Sequence, residues 1–235
     1  MLKAEIIKKR REMEIRVALE LGTTESVGLF GASGAGKSTV LACIAGIDDP
    51  DAGFVDIQRT RVFPPSVPLH KRRIGYLTQE PGLFPHLMVS ENISFGIPRA
   101  RAAEPSQMKW IATLRERLQL DAIWNAPASL ISGGQARRVS LARMLARKPQ
   151  LVLLDEPFSG LDRRLVRELI DDLVFWSREI GFSMIAVDHQ AEVLQRLCPQ
   201  RIIALEQGTI IQHGTWEELR ERPATPLLRS LLAPL

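Results

Sequence analysis

The run Gly31-Ala32-Ser33-Gly34-Ala35-Gly36-Lys37-Ser38-Thr39 constrains this chain more than any other feature, because closely spaced glycines before a Lys-Ser pair specify a backbone shape. Glycine tolerates positive φ, so such a loop can turn its N–H groups inward on an anion, and a helix beginning there adds the positive end of its dipole. The flanks agree. Ser26 to Phe30 is a short apolar run suited to a buried strand, and Lys37 to Ala45 is helix-compatible with Gly46 as its stop. Strand, loop and helix in that order predict polyphosphate binding, with Lys37 reaching the β- and γ-phosphates and the Ser38 hydroxyl ligating Mg²⁺. Gly31, Ser33, Gly34, Ala35, Gly36, Lys37, Ser38 and Thr39 are therefore the first candidate binding set.

The rest of the pattern is α/β. Leu151 to Leu154 and Ser183 to Val187 suit strands buried on both faces, and helical spacing from Leu165 to Ile180 between them predicts a βαβ crossover and a mainly parallel sheet. Met13, Ile15, Val17, Leu19 and Leu21 alternate with polar residues, a strand with one buried face, read here as a sheet edge in an N-terminal antiparallel β subdomain. Arg201 to Leu205 and Thr209 to Gln212 predict a closing hairpin, and Thr215 to Arg222 a capped helix. From Pro81 the chain becomes loops and short helices broken by Pro85, Pro98 and Pro105, with Met108 to Leu120 amphipathic. At 235 residues the expectation is one nucleotide-binding domain over 1–235, with a helical subdomain at about 81–145 inserted in the α/β core.

Composition narrows the function classes only modestly. Lys plus Arg number 31 against 27 Asp plus Glu, a net charge of +4, mild for a nucleic-acid binder and compatible with work beside anionic lipid. Cys43 and Cys198 sit in apolar helical contexts without ligand-like spacing, as buried thiols of a reducing compartment do. The start of the chain lacks a signal-peptide apolar core, and no stretch approaches the roughly 18 apolar residues needed to cross a bilayer. Any membrane role is expected to come through a partner.

Asp155 is predicted at the C-terminal end of a buried strand, where α/β sheets place ligand chemistry, and its carboxylate can hold Mg²⁺ through the metal's water shell. Glu156 beside it can orient or deprotonate an attacking water. Upstream, Ser132-Gly133-Gly134-Gln135, preceded by Leu130-Ile131 and followed by Arg138-Val139, resembles the signature of the ATP-binding cassette ATPases, with Ile131 where that family usually has Leu. The resemblance runs over nearly the whole chain in the same motif order, and identifies a P-loop NTPase core.

It implies that Ser132 and Gly134 of one copy, with Gly133 and Gln135 completing the turn, contact the γ-phosphate held by the glycine loop of a second copy, so that two ATP molecules are enclosed in a head-to-tail dimer. Geometry points the same way, since a helix N-terminus far along the chain is a second anion site that reaches the first only between subunits. By the same resemblance Gln79 is the glutamine that senses Mg²⁺ and water, Asp162 belongs to a segment crossing the dimer interface, and His189 contacts the γ-phosphate. Glu156, His189 and Gln79 are the expected catalytic groups, and Ser38, Gln79 and Asp155 the expected metal set.

Family members often stack adenine on an aromatic residue before the glycine loop, whereas no Phe, Tyr or Trp precedes Phe30 here; Arg10, Arg11 or Arg16 could offer a planar cation instead. The competing classes are a permease-coupled engine and a soluble cassette ATPase acting on a macromolecule. Residues 79–93, with Leu83-Phe84-Pro85-His86 and Glu91-Asn92-Ile93, are similar to the permease-docking groove of importer ATPases. The resemblance is nearest to molybdate and sulfate-type oxyanion importers, many of which carry a C-terminal sensing domain. It implies a peripheral subunit at the cytoplasmic face of the inner membrane. The expected partners are a second copy, transmembrane permease subunits and a periplasmic or lipoprotein binding protein, with no nucleic acid.

Overall fold

The computed structural model describes residues 2–10 and 13–232. Strands β1 (Leu2–Arg10) and β2 (Met13–Leu21) form an antiparallel hairpin. Then follow β3 (Ser26–Phe30), α1 (Lys37–Ala45), β4 (Ala52–Ile57), β5 (Thr60–Phe63) and β6 (Ile74–Leu77). Helices α2 (Val89–Ser94), α3 (Arg99–Ala102), α4 (Pro105–Arg117) and α5 (Gly133–Ala146) occupy the middle of the chain. The remainder runs β7 (Leu151–Asp155), α6 (Arg163–Ile180), β8 (Ser183–Val187), α7 (Ala191–Leu197), β9 (Ile202–Glu206), β10 (Thr209–Gly214), α8 (Trp216–Glu221) and α9 (Pro226–Leu232).

One ten-stranded sheet takes the order β5-β4-β1-β2-β10-β9-β3-β8-β7-β6. The β9-β3-β8-β7-β6 portion is all parallel, and antiparallel pairing is confined to the other half. The period-2 rule sorts its side chains onto two faces. Val27, Leu29, Leu151, Leu153, Ile185, Val187, Ile203 and Leu205 face a core shared with α1 and the β1/β2 hairpin. Their neighbours Phe30, Val152, Leu154, Met184, Ala186, Ile202 and Ala204 face a second core with α5, α6, α7 and the helical segment. Covering both faces is why these strands read as unbroken apolar runs.

Two expectations need correction. β2 is not an edge: it lies between β1 and β10, joined to β10 by a parallel bridge at Thr209 and Arg16. The expected closing hairpin is present as β9/β10 and lies inside the sheet, with β9 paired to β3. Helix α4 begins at Pro105, earlier than Met108, because proline at the first helical position gives up only an N–H that had no partner anyway.

Candidate functional site

Parallel pairing puts four neighbouring strand ends side by side, and the candidate groups sit on them. The glycine loop follows β3, His189 follows β8, Asp155 and Glu156 close β7, and Gln79 follows β6. That is the edge at which open α/β sheets bind ligands. Ser38, Thr78, Gln79, Glu80, Asp155 and Glu156 line a cleft of about 400 Å³ there.

In the glycine loop, Gly34 and Gly36 adopt φ of 80° and 100°, the left-handed region in which a side chain would be strained. A Cβ at Gly36 would also press on Ile15, 3.0 Å away. Lys37 is buried, and its ammonium donates to the carbonyls of Gly31 and Ala32, both at 2.8 Å. Burial lowers its pKa, while the nearby charges of Glu156 and Asp155 pull the other way. Ser33, Ala35 and Thr39 belong to the same turn and first helical residues, with Ala35 buried.

Ser38 Oγ donates to Asp155 Oδ1 at 2.8 Å, and the Tyr76 hydroxyl donates to Asp155 Oδ2 at 3.1 Å, so both carboxylate oxygens are oriented. Burial, then the Asp155 charge, pushes the Tyr76 pKa up, which keeps the phenol protonated as a donor. Tyr76 was not singled out from sequence. The signal was in the strand register: Tyr76 pairs with Leu153 across β6 and β7, and Leu153 shares a face with Asp155 two residues on.

Glu156 takes φ of 48° and its N–H donates to Val187 O at 2.9 Å. A non-glycine residue held in that region costs about 1–3 kcal/mol and persists where its surroundings fix it, as this β7–β8 bond does. His189 Nδ1 stands 3.6 Å from Glu156 Oε2 and 3.7 Å from Asp188 Oδ1. Asp188 is buried, which raises its pKa, although Gln190 N–H donates to it at 2.8 Å. The Gln79 amide donates to Ser159 Oγ at 3.2 Å, tying the end of β6 to the loop after Glu156.

The Ser132 turn lies apart from this cleft. Ser132 caps α5, accepting from Gln135 N at 3.3 Å while Gln135 Oε1 accepts from Ser132 N at 2.9 Å, a reciprocal capping box. None of residues 132–135 lines the cleft. Gly133 has no left-handed φ, and a Cβ built on it meets no atom within 4 Å, so nothing among the described residues requires glycine there. Asp162 accepts from Leu165 N at 3.0 Å as the cap of α6 and also stands outside the cleft lining. Of the arginines considered for base stacking, Arg10 is ion-paired with Asp48, and Arg16 Nε donates to Glu14 at 2.7 Å. Arg11 lies outside the described residues.

The expected metal set, Asp155, Ser38 and Gln79, lines the cleft and offers one carboxylate, a hydroxyl and an amide, and among the described residues no cluster of three or more His, Cys, Asp or Glu side chains could hold a metal. Few, hard oxygen donors suit Mg²⁺, which keeps waters and shares substrate phosphates, and do not suit a metal that needs a dedicated protein cage. Among the described residues no helix is long and apolar enough to cross a membrane.

A family model described as ABC transporter matches residues 15–159. A Chlorella vulgaris protein named "Probable sulfate/thiosulfate import ATP-binding protein CysA" is 36% identical over 217 residues, covering 92% of this chain and 91% of that protein. The sulfate/thiosulfate import ATP-binding protein CysA of a Synechocystis species is 36% identical over 216 residues, 92% of this chain but 60% of the relative. An Fe(3+) ions import ATP-binding protein FbpC 2 of Rhodococcus jostii is 39% identical over 216 residues, covering 89% of this chain and 59% of its own length. The chain thus spans less than two thirds of several of these relatives. The dimeric post-hydrolysis state of an ATP-binding cassette bound to ADP and Pi superposes with a TM-score of 0.79 at 28% identity, over 92% of this chain and 98% of that one. A nucleotide-free cassette from an ABC transporter, at 19% identity and a TM-score of 0.81 over 100% of this chain and 99% of its own, matches in fold. Sequence, fold and strand-end geometry converge, and the chain belongs to the ABC transporter family as one of its ATP-binding cassettes, an ATPase.

Proposed function

We propose that this chain hydrolyses ATP as a head-to-tail pair and thereby drives a membrane permease of an import system. The observation that carries the pairing is the Ser132 turn: it opens a helix, it is exposed, and its Gly133 is a glycine that the chain's own packing does not need. A close approach of phosphate or of a second copy's glycine loop does need it. A related cassette has been solved as a dimer in two structures. In this reading the glycine loop and Lys37 of one copy bind the β- and γ-phosphates, and Ser132 to Gln135 of the twin close on the γ-phosphate, with Asp162 at the crossing.

Ser38, Asp155 and Gln79 would hold Mg²⁺, which when bound supplies charge neutralisation at the phosphates. Glu156 accepts a proton from the attacking water, and His189, beside it, donates to the γ-phosphate. Positioning and charge supply the catalysis, with little covalent chemistry asked of the protein.

The permease groove of this reading is 79–93, extended by Phe95. Asn92 is fully buried and fastens the preceding loop, accepting from Phe84 N at 2.8 Å and donating to Phe84 O and Met88 O, both at 3.1 Å. On that frame Phe84 packs against Phe95 with ring centroids 4.2 Å apart, while Phe95 is 62% and Met88 42% exposed. A rigid loop displaying apolar surface suits an apolar helix from a partner. The subunit is then peripheral at the cytoplasmic face of the membrane, and a periplasmic or lipoprotein binding protein delivers the cargo. The relatives named for cargo are named for sulfate/thiosulfate and Fe(3+), which supports a small inorganic ion; within that class we assign an oxyanion, sulfate or molybdate.

Ser132→Arg tests the pairing. Nucleotide affinity is expected to stay within about threefold, because that side chain is outside its own cleft, while hydrolysis falls by about 100-fold or more, the cost of an obstructed γ-phosphate contact. Loss of binding, or retained hydrolysis, would overturn the two-copy site. Tyr76→Phe removes one hydrogen bond to Asp155 and nothing else, so stability should change by about 1 kcal/mol or less. The Mg²⁺ concentration for half-maximal activity should rise several-fold, read by metal titration, with metal-free nucleotide affinity unchanged.

A further inference from the structure

The helix that begins at the Ser132 turn also holds the segment carrying Gln79, and it does so through side chains. Past the end of β6, Thr78 to Gly82 run as irregular chain, yet every carbonyl there has a donor. Arg137 donates through Nη1 to Thr78 O at 2.7 Å and through Nη2 to Gln79 O. Ser140 Oγ donates to Pro81 O at 3.0 Å, and Arg143 donates to Pro81 O at 3.1 Å and Gly82 O at 2.8 Å. The Glu80 carbonyl accepts from the Thr78 hydroxyl at 2.9 Å. Residues 137, 140 and 143 recur at three-residue spacing on α5, so neighbouring side chains reach one stripe of backbone.

Arg137 is the unusual member. It is 2% exposed, and among the described residues its Nε has no hydrogen-bond partner. Burial lowers its pKa to about 10, with no carboxylate opposing the shift. A buried cation without a counter-ion is costly, so an apolar residue would serve packing better. What the guanidinium supplies is a fixed fork across two successive carbonyls, which neither an apolar chain nor a lysine can match. Those carbonyls flank the residue whose side chain lines the nucleotide cleft. Gln79 is therefore fastened at its backbone to α5 and at its amide to Ser159.

We propose that Arg137, supported by Ser140 and Arg143, is a positioning residue for Gln79: it clamps the backbone on both sides of that residue to α5 and so sets where the Gln79 amide stands in the cleft. This rests on the role proposed for Gln79 above. Arg137 touches no reacting atom and acts through Gln79 and α5.

The test is a double-mutant cycle in steady-state ATPase assays, joining Arg137→Met with Gln79→Ala. Arg137→Met alone is expected to lower kcat about tenfold, with the affinity of separated copies for a fluorescent ATP analogue held within about threefold, a split that general destabilisation does not give. In the Gln79→Ala background the same substitution should cost less than about twofold further, because the link it breaks already leads nowhere. Arg137→Lys should recover only part of kcat. Multiplicative losses across the cycle, or an unchanged kcat in Arg137→Met, would overturn the clamp while leaving the paired site standing. A Gln79→Ala protein with parental kcat would overturn the reading beneath it and the clamp together. If Arg137→Met does not fold, Arg143→Met, which releases Pro81 and Gly82, enters the same cycle with the same expectations.

Discussion

Lys37→Ala is expected to weaken ATP binding by about 100-fold or more, measured by titration with a fluorescent nucleotide. A hydrogen bond to a charged group is worth about 1.5–3 kcal/mol, the lysine is expected to make such bonds to two phosphates, and each 1.4 kcal/mol is about tenfold. The structure adds a second loss. The ammonium currently satisfies the carbonyls of Gly31 and Ala32 at 2.8 Å, and removing it frees the loop from the shape that gathers its N–H groups. Thermal stability should therefore fall as well, by about 1–3 kcal/mol for the buried Gly31 carbonyl left without its donor, while the Ala32 carbonyl keeps the N–H of Ala35 at 3.2 Å. Binding within a few-fold of the parent would show that the glycine loop is not the phosphate cradle.

Glu156→Gln is expected to leave binding intact and reduce kcat by about 100- to 10,000-fold, the range for loss of a positioned general base. Gln preserves the shape, the left-handed backbone and the bond to Val187, so the fold has no reason to change. Without hydrolysis to reopen it, the closed pair should accumulate on Mg-ATP and elute as a dimer in size-exclusion chromatography. A variant that keeps more than about a tenth of the parental kcat would remove Glu156 from the role of base.

Most of the parallel half of the sheet was legible because its strands are buried on both faces and its glycine loop is bounded by a strand and a helix. The Ser132 cap was legible for a local reason, since a serine followed three residues later by glutamine closes a capping box whatever the tertiary context. The antiparallel half was harder. In β1, buried Leu2, Ala4 and Ile6 alternate cleanly, but Lys8, Lys9 and Arg10 follow, and only the fold shows Lys8 and Arg10 neutralised by Asp48 and Asp51. β4 and β5 lie in a stretch rich in Asp, Gly and Pro to which no element is assigned from sequence, although Val55, Ile57 and Val62 are buried in it.

The edge assignment of β2 failed because period 2 reports one covered face and is silent on how many neighbours a strand has. Tyr76 and Arg137 escaped for a related reason. Each acts on a partner distant in sequence, Asp155 and the Thr78–Gln79 carbonyls, and neither belongs to a string with local meaning.

The most direct test of the paired site is specific ATPase activity measured on serial dilution at saturating Mg-ATP, with sedimentation at the same concentrations. Activity per copy should fall steeply as the protein is diluted through dissociation of the ATP-bound dimer, because a lone copy brings no serine turn to its own cleft. Constant activity per copy, with sedimentation showing separated chains, would contradict it.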